Sequence, residues 1–268
     1  MKKSEYNFYT QDKNGRTILY NLISGAVIGL NDYYTNLYLN GKQEQWQKDT
    51  DFIENMQKGG FIINKDIDEK KEIDRLSLNT RNDNKTISFT IAPTLACNFK
   101  CIYCYEEGHR YNTMSEEVID STISFIKKKV SKETKHISVA WYGGEPLLAP
   151  QIIEKITNEI RKTGMEYNSV IVTNGYFLDE KMAIFLKSMG VNHAQVTLDG
   201  PPDIHDKRRV NSSGGENFFR IIKNCKSACK HLSITIRINV DKENMESIDE
   251  IFKYLDQYEL QGKIAVYI

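Results

Sequence analysis

The sequence predicts an α/β protein: a partial, open (βα)6 barrel of TIM-like architecture, preceded by a small winged-helix-like α+β module. Three observations predict it. Strand and helix patterns alternate from Thr86 onward, in the order that builds a parallel sheet. The strands split into one apolar and one small polar face, where a sheet covered on both sides expects continuous apolar runs. Short alternating runs broken by turn residues come before them.

Composition narrows the class. The chain has 268 residues, enough for one large domain with a smaller one. Lysine plus arginine and aspartate plus glutamate both number 36, so nothing steers the protein toward nucleic acid. No apolar run is long enough for a membrane span, and the start, Met-Lys-Lys-Ser-Glu, lacks a signal-peptide core. A cytoplasmic protein is expected. Five cysteines, odd in number and clustered, do not form a secreted disulfide framework.

Residues 1–66 read as the small module. Tyr6-Asn7-Phe8-Tyr9, Thr17-Ile18-Leu19-Tyr20 and Ala26-Val27-Ile28 are separated by Asp12-Lys13-Asn14-Gly15 and Ser24-Gly25, an antiparallel meander. Asn31 or Asp32 caps a helix with Tyr34, Leu37 and Tyr38. A second helix near Asp51 to Lys58 carries Phe52, Ile53 and Met56. Gly59-Gly60 stops it before a strand at Phe61-Ile62-Ile63. Residues 67–86 are charged and read as a linker with a helical turn or two. The module is either a structural extension or a peptide-binding piece with a sheet edge and a helix groove.

Residues 87–268 read as the barrel. Strands are expected at 87–92, 137–142, 169–173, 194–199, 233–240 and 263–268. Between them, one helix starts at Ser115 with Glu116 and Glu117 in its first turn and Lys127-Lys128-Lys129 in its last. Another runs near 179–189 with Asp179 as cap and Gly190 as stop. A helix from about Met245 places Met245, Ile248, Phe252 and Leu255 on one stripe. On the fifth strand Ile234, Ile236, Ile238 and Val240 oppose Ser233, Thr235, Arg237 and Asn239. On the fourth, Ala194, Val196 and Leu198 oppose Gln195, Thr197 and Asp199. The polar faces would line a wet lumen.

The chemistry lies just after the first strand, where Cys97, Cys101 and Cys104 stand in the spacing C-x3-C-x2-C. Thiolates hold iron–sulfur clusters or zinc. Three of them on a four-iron cluster leave one iron open for a ligand. Zinc would need a fourth group, and His109 is the nearest. Cys225 and Cys229 fall with Phe218 and Ile222 in a 4-3-4 pattern, a core-facing helix stripe.

This loop, with Tyr103 just before the last cysteine, resembles the radical S-adenosylmethionine superfamily. Tyr142-Gly143-Gly144-Glu145-Pro146, Thr173-Asn174-Gly175, Leu198-Asp199-Gly200-Pro201, His205-Asp206-Lys207-Arg208-Arg209 and Arg237-Ile238-Asn239 follow in order. Together with Ala92-Pro93-Thr94-Leu95-Ala96-Cys97 they are similar to the peptide- and protein-modifying maturases, which include anaerobic sulfatase maturases and sactipeptide-type thioether synthases. The resemblance covers residues 86–268.

The resemblance implies that Cys97, Cys101 and Cys104 bind a [4Fe–4S] cluster whose fourth iron is chelated by S-adenosylmethionine. Gly143, Gly144 and Glu145 would meet its amino group, Arg237 its carboxylate, Thr173 and Asn174 its ribose or methionyl part, and Tyr103 its adenine side. His205, Asp206 and Arg209 either clamp the loop after the fourth strand or touch substrate. Reductive cleavage would give a 5′-deoxyadenosyl radical that abstracts a substrate hydrogen. The implied partners are a precursor peptide with its leader and an electron donor of flavodoxin or ferredoxin type, with no nucleic acid and no membrane.

Many members of this family carry a cysteine-rich C-terminal extension. This sequence stops at its sixth strand, so a fragment or a short member is expected. The expected function is a peptide maturase with a leader-recognition-like module at 1–66. The alternatives are a sulfatase-maturase-like protein oxidising a serine or cysteine, and a non-catalytic zinc- or leader-binding fragment.

Overall fold

The computed structural model describes residues 1–268 apart from Gln47, Asn82, Asp83, Glu107, His109, Arg110 and Tyr111, and apart from the side chains of Gln43, Asn79, Thr80 and Arg81. The chain divides into two compact units, Met1–Asp83 and Asn84–Ile268. Each has its own hydrophobic core.

The first unit runs β1 (Lys2–Lys3), β2 (Asn7–Gln11), β3 (Thr17–Asn21), β4 (Val27–Leu30), α1 (Asp32–Asn40), α2 (Gln43–Trp46), α3 (Thr50–Lys58), β5 (Ile62–Ile63) and α4 (Glu69–Arg81). The expected meander is there, with β3 between β2 and β4, all antiparallel. Asn31 accepts from the Tyr34 amide at 2.9 Å and starts α1, and Asp49 accepts from the Phe52 amide at 2.9 Å and starts α3. Phe52, Ile53 and Met56 join Leu19 and Leu30 in the core.

Residues 69–81 depart from the expected linker by forming a full helix. Its first residue explains why. Glu69 is buried and accepts from Ser4 Oγ at 2.6 Å and from the Glu5 amide at 2.9 Å. Asn21 Nδ2 donates to the same Ser4 hydroxyl at 3.1 Å. A polar anchor of this kind leaves no apolar periodicity to read.

The second unit runs β6 (Thr86–Ile91), β7 (Phe99–Cys101), α5 (Glu116–Lys129), β8 (His136–Trp141), α6 (Pro150–Arg161), β9 (Glu166–Thr173), α7 (Glu180–Ser188), β10 (Val191–Thr197), α8 (Pro202–Arg208), β11 (Arg209–Asn211), α9 (Phe218–Ala228), β12 (Ser233–Arg237), α10 (Ile248–Gln257) and β13 (Ala265–Tyr267). β6, β8, β9, β10, β12 and β13 lie side by side in chain order, every pair parallel. A single winding direction, with β6 and β13 as the outer strands of the order, is consistent with a partial TIM-like barrel.

The two strand faces separate as expected. Ile137, Val139, Trp141, Ile171, Ala194, Val196, Ile234 and Ile236 are buried with Ile119, Ile123 and Ile126 of α5, Ile153 and Ile156 of α6, and Phe218 and Ile222 of α9. Each fully buried isoleucine contributes about 1.5–3 kcal/mol. Ser138, Asn168, Gln195 and Thr235 on the opposite face are only half-buried. The stripe expected on α10 shifts: Ile248, Ile251 and Leu255 are buried, whereas Met245 and Phe252 are 61% and 48% exposed. Met245–Ser247 is a 3-10 turn, whose three-residue period puts Met245 out of phase with the helix that follows.

Candidate active site

After β6, residues 92–106 cross the carboxyl edge of the sheet and bring Cys97, Cys101 and Cys104 there. The loop is stitched down on two sides. On one side β7 pairs antiparallel with β11, Arg209 opposite Cys101 and Asn211 opposite Phe99. The Ile102 amide donates to Arg208 O at 3.0 Å, and the Ser212 amide to Asn98 O at 2.8 Å. On the other side the Gly144 amide donates to Thr94 O at 3.1 Å and the Glu145 amide to Ala96 O at 2.8 Å.

The second contact requires the two glycines. A Cβ on Gly144 would stand 2.4 Å from Leu95 O and 2.5 Å from Ala96 O. One on Gly143, whose φ is +112°, would stand 2.4 Å from Thr94 O. Without side chains, this segment lies flat against the cysteine loop.

Most of the expected residues meet in one cavity of about 230 Å³. Cys97, Cys101, Tyr103 and Cys104 form one wall, Gly143 and Gly144 a second, and Thr173, Asn174 and Arg237 a third. Glu145 does not line it. Its carboxylate is fully buried and accepts from the Leu147 amide at 3.0 Å, Thr173 Oγ1 at 2.8 Å and the Asn174 amide at 2.8 Å. Expected beside the amino group of a ligand, Glu145 instead joins the ends of β8 and β9 beneath the site. Burial holds its carboxyl above the usual carboxylate range, against the pull of those three donors.

Gln195, Thr197, Arg209 and Asn239 also line the cavity. The sequence assigns Gln195, Thr197 and Asn239 no role, although strand alternation puts them on the polar face. Arg237 is the exposed end of β12, and its guanidinium has no hydrogen bond or ion pair among the described residues. Asn174 Nδ2 donates to Asn98 Oδ1 at 2.8 Å and lies 3.9 Å from Cys97 Sγ.

Tyr103 ties the cysteine loop to the segments that follow β10, α8 and β12. Its hydroxyl donates to Asp199 Oδ2 and accepts from Arg209 Nη1 at 2.7 Å and Asn239 Nδ2 at 3.1 Å. The Arg208 guanidinium lies 5.3 Å from its ring centre. Burial pushes the phenol up to about 12.

His205 and Asp206 are clamps. Buried His205 accepts from the Asp199 amide at Nδ1, 3.2 Å away, so its proton sits on Nε2, 3.1 Å from Asn217 Oδ1. Burial, helped by the Arg209 charge, pushes this imidazole down to about 3. Asp206 Oδ1 accepts from the Asn217 and Phe218 amides at 3.1 and 3.0 Å and anchors the start of α9. Arg209, by contrast, reaches the cavity. Cys225 is fully buried in the core on α9, and Cys229 closes that helix.

The donor set fits an anionic, sulfur-rich group. Burial pushes the Cys97 thiol up to about 11 and raises Cys101 as well, so both need a nearby cationic centre to ionise. Asn98 Nδ2 and Arg209 Nε are buried without partners among the described residues. Among those residues no three cysteine, histidine or carboxylate side chains converge on the position of a single ion. An iron–sulfur cluster instead takes its thiolates on separate irons. His109, the zinc ligand considered from the sequence, lies outside the described residues.

Residues 91–255 match the family model of the radical SAM superfamily. The chain belongs to that superfamily. Radical SAM proteins use a [4Fe–4S] cluster and S-adenosylmethionine. Among curated relatives, Fe-coproporphyrin III synthase of Methanosarcina barkeri is 29% identical over 164 residues, covering 61% of this chain and 39% of its own. The cysteine-type anaerobic sulfatase-maturating enzyme of Clostridium perfringens is 29% identical over 185 residues, covering 64% and 49%. The solved structure of native anSMEcpe with bound AdoMet and Cp18Cys peptide superposes with a TM-score of 0.57 at 26% identity, over 67% of this chain and 49% of that one. The chain thus spans about half the length, or less, of these relatives. Among the described residues no helix of this radical SAM protein is long and apolar enough to cross a membrane.

Proposed function

We propose that this radical SAM protein is the catalytic part of a maturase that takes a hydrogen atom from a peptide substrate. The observation that carries the reading is the joining of the three cysteines, the glycine pair, Asn174 and Arg237 around one cavity. Support for a peptide comes from the sulfatase-maturating relative and from the likeness to a structure holding AdoMet and a peptide.

Cys97, Cys101 and Cys104 would hold the cluster. When bound, cluster and S-adenosylmethionine supply one-electron cleavage of the sulfonium and a radical that abstracts hydrogen. The chain's own residues bind and orient. Backbone groups at Gly143 and Gly144, free of side chains, receive the amino group of S-adenosylmethionine. The cavity's two guanidinium groups, unpaired Arg237 and the buried Arg209, meet its carboxylate. Thr173 and Asn174 hold the ribose or methionyl part, and Tyr103 borders the adenine side. Glu145 acts from below, fixing Thr173 and the Asn174 backbone. Gln195 and Thr235 keep the lumen polar, which suits a peptide backbone.

The first unit is, in this reading, a winged-helix-like leader-recognition module. Among the described residues its meander leaves β2 and β4 each paired on one side only, edges that an extended leader can extend. Phe8, Tyr20 and Val27 form an exposed cross-strand row. A second reading, oxidation of a serine or cysteine in a sulfatase, is favoured by the sulfatase-maturating relatives. Both readings require the same cofactor chemistry and differ in substrate.

Anaerobic reconstitution with iron and sulfide tests the common part. The expected result is a bound cluster and 5′-deoxyadenosine on adding S-adenosylmethionine and dithionite. Failure to bind iron and sulfide, or absence of that product, rejects the enzyme. Deleting residues 1–66 separates the readings, since loss of leader-peptide affinity supports the module and unchanged affinity removes it.

A further inference from the structure

We infer that Arg209 raises the reduction potential of the cluster held by Cys97, Cys101 and Cys104. This rests on those cysteines being the ligands, as proposed above. Arg209 stands opposite Cys101 in the β7–β11 ribbon and lines the same cavity as all three cysteines. It is 8% exposed, so its field acts through protein more than through water.

The charge is only partly compensated. Asp199 Oδ2 is 4.0 Å from Nη1, within ion-pair range and too long for a hydrogen bond. The hydrogen bond of the guanidinium goes to a neutral group: Nη1 donates to the Tyr103 hydroxyl at 2.7 Å. Nε is buried without a partner among the described residues. A guanidinium carries five donors, and a buried one with donors to spare favours an anion beside it. Neighbouring Arg208 shares the partnerless Nε among the described residues but differs in its charge partner: it gives Asp241 two hydrogen bonds, at 3.1 and 2.8 Å, and so is matched by a full carboxylate.

Three thiolates leave a four-iron cluster anionic, and one-electron reduction adds a further negative charge without breaking a bond. A fixed cation nearby stabilises the reduced form more than the oxidised one. Arg209 is therefore a positioning residue with an electrostatic output, placed where the chain could have put a neutral side chain to hold Tyr103. Asp199 works in the opposite sense. Replacing the cation should lower the potential, and neutralising the anion should raise it. A merely structural role for the pair predicts no such opposition of sign.

The test is a potentiometric titration of the anaerobically reconstituted full chain with dithionite and mediators, without S-adenosylmethionine, read by the electron paramagnetic resonance of the reduced cluster. Arg209→Gln is expected to lower the reduced-to-oxidised ratio at fixed potential on the order of tenfold, about 59 mV for one electron. Arg209→Lys should keep most of the wild-type value, and Asp199→Asn should shift it upward. Unchanged potential in Arg209→Gln with full iron and sulfide, or shifts of the same sign in Arg209→Gln and Asp199→Asn, overturns the inference. If Arg209→Gln does not retain a cluster, Asp199→Asn decides alone: an upward shift supports the inference, and no shift or a downward one overturns it. A wild-type chain that binds no iron would instead reject the ligand assignment.

Discussion

Thr173 Oγ1 donates to Glu145 Oε1 at 2.8 Å, joining the ends of two neighbouring strands beneath the cavity. Glu145 is fully buried and Thr173 nearly so, and the bond fixes the start of the Asn174 loop from beneath the cavity that Thr173 lines. Glu145→Gln would turn an acceptor into a donor facing one of three N–H or O–H groups. An expected loss of about 1–3 kcal/mol follows from one unsatisfied buried group. Denaturant unfolding measures it, and the affinity for S-adenosylmethionine should fall through displacement of Asn174.

Gly144→Ala should be worse for the cluster than for the rest of the fold. Its Cβ meets two backbone carbonyl oxygens of the cysteine loop, which cannot swing aside as a side chain would. The expected outcome is a marked loss of bound iron after anaerobic reconstitution, with about 1–3 kcal/mol of destabilisation. Gly164→Ala is the control. It has a φ of +74° but nothing within 4 Å of the added carbon, so it should cost about 1 kcal/mol and leave iron content unchanged.

The five cysteines should sort into two groups. Alanine at Cys97, Cys101 or Cys104 is expected to abolish cluster binding. Alanine at fully buried Cys225 should keep full iron and lower stability on the order of 1 kcal/mol. Iron and sulfide assays beside thermal unfolding make the comparison.

Arg237→Met removes a guanidinium that has no partner among the described residues, so the fold should not suffer. Affinity for S-adenosylmethionine in the reconstituted protein should drop about 10–100-fold, the value of a charge-assisted bond of about 1.5–3 kcal/mol. Equilibrium dialysis under anaerobic conditions reads it, and an unchanged affinity would leave Arg209 as the carboxylate's cation.

His205 gives a pH signature. Its folded value, about 3, lies below the unfolded value of 6.5. Between them the unfolded chain binds a proton that the folded one refuses. The His205 contribution is therefore complete above pH 6.5 and is lost as pH falls toward 3, at a slope of about 1.4 kcal/mol per unit. Comparing unfolding free energies at pH 7 and 5.5, above most carboxylate titration, should show this slope in the wild type. His205→Gln should remove the His205 share and leave the part owed to His193, whose imidazole value burial also lowers.

Local periodicity makes the parallel sheet legible. Ile234 and Ile236 against Thr235 and Arg237 give the two faces of β12, and Ser115 and Asp179 give helix starts. The cysteine spacing likewise points to thiolate ligation, with cluster and zinc both open until the resemblance is drawn. What stayed hidden depends on distant pairs. Glu69 needs Ser4 to become a helix anchor, and Glu145 needs Thr173 and Asn174 to become a strut. Arg209 reads as one of two adjacent arginines until β11 turns it toward Cys101, while Arg208 goes to Asp241. No window of sequence holds both members of such pairs.

The β7–β11 ribbon also carries a consequence for biosynthesis. Tyr103 and Arg209 are 106 positions apart, so the cysteine loop leaves the ribosome well before the strand that secures it. At typical elongation rates that interval is about 5–20 s. During it the three thiols have their own loop but not its backing, and they are open to air and to stray metal ions. Loading of iron and sulfide is thus expected only after α8 and β11 are made, which makes expression under low oxygen a matter of translation timing as well as of the finished site.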